Sequence, residues 1–278
     1  MNEVRARAAS GADVINVVDS PLPIDDAKKI AVGSKSDWSP DGAKLVITKH
    51  VSDSIEDPGL EIHDLRTGTI DELAKVGKDP AWSIATNGPI AFLRGPENAK
   101  EEVWLIQADG TQARKIAQGG YPHWSGDGKT LYFTDRATKS IMRISPSDPN
   151  AASQLFYKAI DALYPVVSPD GSRIASIAPR LGLAVVKSPG GELVKNWPLG
   201  DNASGGLVAW HPDGKRLAYG GFARYSTGLW VADLESGKTR MIVAGKAWRP
   251  AWSRDGKHFL FAIDDDIYII DADKLPAP

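Results

Sequence analysis

A hairpin motif that recurs along the chain constrains its fold more than any other feature. The first copy, Asp37 to Val46, consists of a β-prone run ending at Trp38, the turn Ser39-Pro40-Asp41-Gly42 and a second β-prone run. In such a turn, proline presets φ and glycine can adopt a positive φ. Later copies place the turn glycine at positions 88, 128, 171, 214 and 256, at separations of 46, 40, 43, 43 and 42 residues. A nearly constant period of this length indicates a repeat architecture.

Each repeat unit contains four short runs of β-forming residues. In the second unit, the runs after the hairpin turn are Ile90–Phe92, Val103–Ile106 and Ala113–Ile116, with an Asp-Gly turn between the last two. Four strands in roughly 43 residues match one blade of a β-propeller. One blade cannot bury both of its faces, so we expect closure of the ring of blades to be the main stabilising event.

The last unit shows only three β-runs, the third ending at Ile267–Ile270. Near the N-terminus, Lys28–Gly33 parallels Arg114–Gly119, which is the fourth strand of its own unit. We therefore expect the N-terminal strand to complete the final blade and remove its free edge. The sequence predicts an all-β fold, a closed six-bladed β-propeller of four-stranded antiparallel blades. The run Val14–Asp19 either pairs with the C-terminal blade or begins a further, mostly missing blade.

The predicted domain organisation is a flexible lead at 1–12, a single β-propeller domain at 13–273 and a tail at 274–278. The Trp-Ser-Pro-Asp-Gly copies resemble the TolB-type propeller repeat, a WD-like repeat of bacterial proteins, over about residues 35–273. The resemblance is to the propeller domain of that family. It implies the fold, and it leaves the function open because the repeat occurs in scaffolds, peptidase accessory domains and some lyases.

Composition excludes several classes of protein. The formal net charge of −2 provides no general attraction to nucleic acid or acidic membranes. The absence of cysteine excludes disulfides and thiolate chemistry, and no run of 18 apolar residues predicts a membrane span. Met1 to Ala12 lacks the apolar core of a signal peptide. We expect either a cytoplasmic protein or a periplasmic, exported one whose leader was removed, and we favour export because proteins with this repeat are often exported.

Candidate binding residues lie in the loop after the second strand of each unit, which in a propeller opens on the same face as the loop joining successive blades. Five of the six units carry a basic residue there, and the sixth carries Asp264–Asp266 instead. The basic residues are Lys49, His50, Arg94, Arg136, Arg180 and Arg224. Around a central funnel they would form a cationic ring suited to carboxylate or phosphate groups. In the alternative interpretation, the arginines stabilise their own hairpins.

The loops that join the blades add Tyr121, Trp248 and Arg249 as candidate partner-binding residues, because exposed aromatic and arginine side chains are typical interface anchors. The alternative for Trp248 is packing against the neighbouring blade. Tryptophan at the fixed turn register is instead predicted to form the core between blades. These residues are Trp38, Trp82, Trp124, Trp210 and Trp252.

The sequence predicts no catalytic residue, no cofactor and no metal site. It contains neither H-E-x-x-H nor G-x-S-x-G, and its five histidines fall at different registers of the repeat. We expect a monomeric, non-catalytic scaffold that captures a protein or peptide partner, with an acidic or extended segment, at its funnel face. Two alternatives stay open: a lyase or hydrolase acting on an anionic polysaccharide, and a structural module of a larger envelope assembly.

Overall fold

The structure, a computed structural model, describes residues 26–49, 58–96, 100–148, 151–158, 163–178, 182–188, 190–198, 204–223, 226–245, 247–275 and 278. In these ranges the chain forms an all-β propeller of four-stranded antiparallel blades, which confirms the predicted all-β class and the predicted blade type. The run Val14–Asp19, with its two alternative placements, lies outside the described residues.

One seven-stranded sheet and four four-stranded sheets follow the order of the repeat units. The first unit contributes β1 (Lys28–Trp38), β2 (Lys44–Lys49), β3 (Leu60–Asp64) and β4 (Ile70–Ala74). The next two sheets are β5 (Lys78–Trp82), β6 (Ile90–Arg94), β7 (Glu102–Ile106) and β8 (Arg114–Gln118), then β9 (Gly120–Trp124), β10 (Leu131–Asp135), β11 (Ser140–Ile144) and β12 (Gln154–Tyr157).

The later units repeat this arrangement. Two more sheets are β13 (Leu163–Val167), β14 (Arg173–Ala178), β15 (Gly182–Lys187) and β16 (Leu193–Trp197), then β17 (Ser204–Trp210), β18 (Arg216–Ala223), β19 (Ser226–Asp233) and β20 (Thr239–Ala244). The last unit contributes β21 (Ala247–Trp252), β22 (His258–Ile263) and β23 (Asp266–Asp271), followed by a 3₁₀ turn at Ala272–Lys274.

Strand β1 joins the first unit to the last in one sheet of order β21-β22-β23-β1-β2-β3-β4. Its first part pairs antiparallel with β23, with Lys28 opposite Ile269. Its second part pairs antiparallel with β2, with Trp38 opposite Leu45. The N-terminal strand therefore pairs with β23 and extends the sheet of the three C-terminal strands, as the parallel between Lys28–Gly33 and Arg114–Gly119 predicted.

The first strand of each unit is its inner strand, and the inner strands contact one another in a cycle. Strand β1 contacts β5, β5 contacts β9, β9 contacts β13, β13 contacts β17, β17 contacts β21, and β21 contacts β1. The core fills the spaces between neighbouring sheets, as where Leu60 of β3 and Phe92 of β6 share one buried cluster. Burial of apolar surface is the dominant favourable contribution to folding. In this protein that surface is buried only while neighbouring sheets pack against each other.

The repeat tryptophans contribute to this core. Trp38, Trp82 and Trp252 are buried. Trp124 and Trp210 are half-buried, and their indole N–H groups donate hydrogen bonds of 3.0 and 3.2 Å to main-chain carbonyls of the preceding sheet. A tryptophan at this register thus links neighbouring sheets, as its fixed position in the repeat predicted.

The Asp-Gly turns lie together at one end of the inner strands, and we call this end the turn face. In the first turn, Ser39 Oγ donates to Asp41 Oδ1 at 2.6 Å and accepts from the Lys44 N–H at 2.9 Å. Gly42 adopts a φ of 69°, which glycine tolerates without steric cost. The side chains that repeat in the motif therefore stabilise the turn itself.

Each inner strand carries a β-bulge near its other end, close to three residues before the repeat tryptophan. At three of these bulges a non-glycine residue has a positive φ: Asp79 at 51°, Tyr121 at 52° and Arg249 at 54°. Each of the three immediately precedes a proline. Bulges redirect side chains and are enriched beside functional sites, so this end of the inner strands positions the candidate site.

Candidate functional site

The inner strands enclose a central channel with a cavity volume of about 350 Å³. Much of its wall is apolar and includes Pro80, Pro122, Val166, Val208 and Pro250. Its charged lining residues are Lys35, Asp37 and Arg254, and its polar ones include Tyr121 and His123. We call the bulged end of this channel the mouth. An apolar wall with a few placed polar groups is typical of a binding site.

Arg136 follows β10 and reaches back to the inner strand of its own sheet. Its Nη1 donates to Tyr121 Oη at 2.7 Å, and its guanidinium lies 4.1 Å from the centre of the Tyr121 ring. Its Nε donates to Glu101 Oε2 at 2.9 Å, and its Nη2 contacts the same carboxylate. A side chain at Gly120 would collide with this guanidinium. Glycine there lets Arg136 approach the mouth.

Glu101 is completely buried and holds two cations. Besides its contact with Arg136, its Oε1 lies 3.3 Å from Lys78 Nζ, which also donates to the Gly95 carbonyl at 3.1 Å. Burial raises the pKa of Glu101, whereas Arg136 and then Lys78 act to lower it. The loop after β6 is therefore tied to the mouth through a buried ionic group.

Arg249 joins the last unit to the second. Its Nη1 lies 3.6 Å from Asp79 Oδ1, and its guanidinium lies 4.4 Å from the centre of the Trp248 ring. Trp248 Nε1 donates to the Asp264 carbonyl at 3.1 Å, and the Asp79 N–H donates to Thr48 Oγ1 at 3.1 Å. Asp79 and Arg249, 170 positions apart in the sequence, thus meet because the inner strands surround one channel.

Lys35 lines the channel at the mouth and is half-buried. Burial lowers its pKa, and Arg249 lowers it further, while Asp79, Asp37 and Glu101 act in the opposite direction. Within the described ranges, its ammonium group makes no hydrogen bond or ion pair. It differs in this respect from Lys78.

We define the mouth cluster as Lys35, Lys78, Asp79, Glu101, Tyr121, Arg136 and Arg249. In their charged forms these residues comprise four cations and two carboxylates, an excess of two positive charges. The chain as a whole carries −2. The positive charge is therefore local, and a concave site of this kind attracts anionic groups.

Two predicted ring residues contact their own sheets rather than the mouth cluster. Lys49 Nζ lies 3.2 Å from Glu61 Oε1 on the adjacent strand. Arg94 lies 4.2 Å from the ring centre of Trp104, and its Nε donates to the Val76 carbonyl at 3.3 Å. Three further predicted ring residues, His50, Arg180 and Arg224, lie outside the described part of the chain. Of the predicted site residues, the structure brings together Tyr121 with Arg136, and Trp248 with Arg249.

His123 and Asp37 occupy the same register, one residue before a repeat tryptophan, and make equivalent contacts. His123 Nε2 accepts the Val167 N–H at 3.0 Å, and Asp37 Oδ2 accepts the Trp82 N–H at 2.8 Å. Burial lowers the pKa of His123 to about 4, so the ring is neutral at pH 7. Both side chains connect neighbouring inner strands.

The sequence interpretation missed Lys35, Lys78, Asp79 and Glu101. A usable signal existed for Lys35 and Asp79. They lie three residues before a repeat tryptophan, the register that Tyr121 and Arg249 occupy in two other units. Lys78 directly precedes this position, but Glu101 lies in a loop of variable length with no repeat register. The role of Glu101 depends on its contact with Arg136, which follows a strand of the next sheet.

Two kinds of feature are absent from the described residues. No group of three or more histidine, aspartate or glutamate side chains there is arranged to hold a metal ion. No helix in the described ranges has the length and apolar character needed to cross a membrane.

No protein-family model matches the sequence, and no curated protein matches it. Solved structures do resemble the fold. TolB from Acinetobacter baumannii is 18% identical with a TM-score of 0.57; the match covers 74% of this chain and 55% of TolB. A chain of the Mitotic Checkpoint Complex is 13% identical with a TM-score of 0.60, covering 98% and 96%. Oligogalacturonate lyase from Vibrio parahaemolyticus is 12% identical with a TM-score of 0.56, covering 88% and 93%.

These similarities confirm a TolB-type propeller fold, as the repeat indicated. This chain spans only about half of the TolB chain. At these identities the likeness concerns the fold alone, because one propeller architecture serves unrelated functions. A functional assignment must therefore come from the mouth.

Proposed function

We propose that the chain forms one domain of six blades, in which the seven-stranded sheet is two blades joined through β1. Two observations support this count. Strand β1 pairs with β23 through its first part and with β2 through its second part. The inner strands contact one another in a cycle that returns from β21 to β1. The N-terminal strand would then complete the last blade.

We further propose that this propeller is a monomeric, non-catalytic binding module. It captures an extended acidic segment of a protein partner at the mouth. The observation that carries this proposal is the mouth cluster, where four cations and two carboxylates surround the opening of an apolar channel. Arginine and lysine here would engage partner carboxylates, and Tyr121 and Trp248 would supply aromatic contact area.

The mouth is also preorganised for a partner. Arg136 is held by Glu101 and Tyr121, and Arg249 is held by Asp79 and Trp248. Arginines fixed in this way lose less side-chain entropy when a partner binds than free side chains would. Lys49 and Arg94 lie at the ends of β2 and β6, where they would contact parts of a partner that extend beyond the mouth. His50, Arg180 and Arg224 keep their proposed role in the same ring.

The proposal is tested with a fluorescent decapeptide rich in glutamate, compared with a glutamine-rich peptide of the same length, by fluorescence anisotropy. We expect the acidic peptide to bind and the neutral one to bind much more weakly. The double variant Lys35→Gln with Arg249→Gln, which removes two cations of the mouth cluster, should weaken binding by at least about tenfold, since a hydrogen bond to a charged group contributes about 1.5–3 kcal/mol. Binding should also weaken as salt is added.

The matched control removes two positive charges from the turn face, with Lys129→Gln and Lys257→Gln. Both lysines are exposed and directly follow a turn glycine. This control should bind the acidic peptide as the unmodified protein does. Equal weakening by the two double variants would show that binding follows net charge and would contradict a site at the mouth.

The anionic-polysaccharide alternative is supported by the same cationic mouth and by the likeness of the fold to an oligogalacturonate lyase. An oligogalacturonate added to the peptide assay distinguishes the two proposals. Competition with the peptide, together with new unsaturated or shortened products, would favour the enzyme. Binding of the peptide without competition favours the protein partner.

From the TolB-type repeat we also propose that the protein acts outside the cytoplasm. Fractionation of cells that express the natural gene tests this location. Recovery with cytoplasmic markers would contradict it.

A further inference from the structure

Lys35 is the cation of the mouth cluster that lacks a carboxylate partner. It lies on the bulged part of β1 and lines the channel. Its side chain makes no hydrogen bond or ion pair to any described residue, whereas the other three cations of the cluster each contact one of its two carboxylates. The excess positive charge of the mouth therefore includes an unpaired ammonium group in the channel wall.

The other charged groups in the described wall of the channel are paired with each other. Asp37 Oδ2 accepts from Arg254 Nη2 at 2.9 Å and from the Trp82 N–H at 2.8 Å. His123, which shares this wall, is neutral at pH 7 because burial lowers its pKa to about 4. Burial also lowers the pKa of Lys35, so its ammonium form gains from a carboxylate placed beside it. An anionic group that enters the channel is therefore expected to pair with Lys35.

The channel wall offers little to the main chain of a bound peptide. Pro80, Pro122 and Pro250 line it, each directly after a residue of the mouth register, and proline has no N–H to donate. Val166 and Val208 add further apolar surface. A peptide that entered the channel and turned back would bury several main-chain polar groups without partners, which is costly. The end of a chain buries the fewest such groups.

The size of the channel favours the end of a chain for a second reason. Its volume of about 350 Å³ is near the lower limit for small-molecule pockets, about 300–1,000 Å³. Two extended chain segments lie about 4.8 Å apart when they run side by side, so a returning loop needs room for two backbones. The channel has room for one. A C-terminal residue brings both a single backbone and a carboxylate.

We propose that the channel receives the C-terminal end of the partner, whose free carboxylate pairs with Lys35 and whose last side chain is apolar. This inference rests on the proposed function, because the acidic segment at the mouth is then the part of the partner that precedes its last residue. The proline and valine wall contacts the last side chain, and the mouth cluster contacts the acidic residues. Capture of a C-terminal carboxylate is a recurring mode of peptide recognition.

Three peptides test this inference by fluorescence anisotropy. Each is an acidic decapeptide labelled at its N-terminus and ending in leucine. The first has a free C-terminal carboxylate and the second a C-terminal amide. The third is an amide with one more glutamate in place of a neutral residue, so that its net charge equals that of the free acid. We expect the free acid to bind at least about tenfold more tightly than either amide, the typical effect of a hydrogen bond to a charged group. Equal binding of the three peptides would overturn the capture of a chain end.

Lys35→Met tests the assignment of the carboxylate to Lys35, since it removes the ammonium group and keeps a side chain of similar length. The free acid and the charge-matched amide should bind this variant equally, whereas Lys129→Met, on the turn face, should keep the preference for the free acid. Thermal unfolding shows that the variants are folded, and the peptide comparison on the unmodified protein does not depend on them. A preference that persists in folded Lys35→Met would overturn the assignment.

The apolar end of the partner is tested with a free acid that ends in alanine. It should bind at least about tenfold more weakly than the peptide ending in leucine, because the channel wall buries the larger side chain; equal affinities would overturn an apolar last residue. Failure of this inference is distinguishable from failure of the proposed function. Equal, tight binding of acid and amide leaves the acidic segment at the mouth, whereas no binding of any acidic peptide would contradict both.

Discussion

The turn face and the mouth are made by the same repeat units, yet they differ in how much the units resemble one another. On the turn face, a serine hydroxyl donates to an aspartate two residues later at 2.5–2.7 Å in four units. At the mouth, the corresponding register holds Lys35, Asp79, Tyr121 or Arg249. Every unit must form the same turn, whereas the residues at the mouth register differ in size and charge from one unit to the next. The side chains that repeat therefore stabilise the turns, and those that differ give the mouth its local charge.

The fifth unit shows how strict the turn requirement is. His211 replaces the serine, and its Nδ1 accepts the Asp213 N–H at 3.1 Å. The side chain at this position still accepts from the turn backbone, but from the residue two positions on, whereas Ser39 accepts from Lys44, five positions on. At the mouth, Arg136 with Glu101 and Arg249 with Asp79 join different sheets, and the contacts differ in chemistry from one pair to the next.

The largest effect in this comparison is expected at Glu101, the buried carboxylate of the mouth. Glu101→Gln leaves Lys78 and Arg136 without their anion, so the free energy of unfolding should fall by about 3 kcal/mol, near the lower end of values for broken buried ion pairs. Urea denaturation measures this change. The matched control is its neighbour in the sequence, Glu102→Gln. That carboxylate pairs with Lys115 at the surface, so the loss should stay below about 1 kcal/mol. Similar losses in the two variants would contradict the buried role of Glu101.

A smaller effect is expected at Arg254, which joins the last unit to the first two at the turn face. Its Nη2 donates to Asp37 Oδ2 at 2.9 Å and to the Trp82 carbonyl at 2.7 Å. Arg254→Gln should lower the free energy of unfolding by about 1.5–2 kcal/mol, in the range for hydrogen bonds to charged groups. Arg66→Gln removes an exposed arginine 3.7 Å from Asp41 and should change it by less than about 0.5 kcal/mol. If Arg66→Gln lowers the free energy of unfolding as much as Arg254→Gln does, then the loss follows the net charge of the protein and not the hydrogen bonds of Arg254.

The smallest effect concerns the turn aspartates and is expected in acid. Partial burial acts to raise the pKa of Asp170, but hydrogen bonds from Ser168 and Ser172 lower it to about 2. A folded-state pKa below the ordinary value of 3.8 means that the stabilisation is fully present above pH 4 and is lost as the pH falls towards 2. The melting temperature should therefore drop less between pH 4 and pH 2 in Asp170→Asn than in the unmodified protein.

Scanning calorimetry at several pH values measures this difference. Glu235→Gln, at an exposed ion pair with Lys215, serves as the control and should keep the acid sensitivity of the unmodified protein. If Asp170→Asn loses as much stability in acid as this control, then the titration of Asp170 does not account for the acid sensitivity of the protein.

The sequence by itself determined the repeat, the four-stranded units, the turn chemistry and the tryptophan core. These features depend on residues close together in the chain, such as Ser39, Asp41 and Gly42, so they can be read locally. It also predicted the pairing of Lys28–Gly33 with the last unit, because that run resembles the fourth strand of another unit.

Only the tertiary structure decided which side chains meet at the mouth. Arg94 and Arg136 hold equivalent places in the repeat, yet one lies against Trp104 and the other reaches Glu101 and Tyr121. The difference arises because Gly120 leaves space for a guanidinium and a loop glutamate is buried beside it. Packing between strands determines such contacts, and no spacing in the sequence encodes that packing. The cycle of inner strands then gathers residues as distant as Asp79 and Arg249 around one channel.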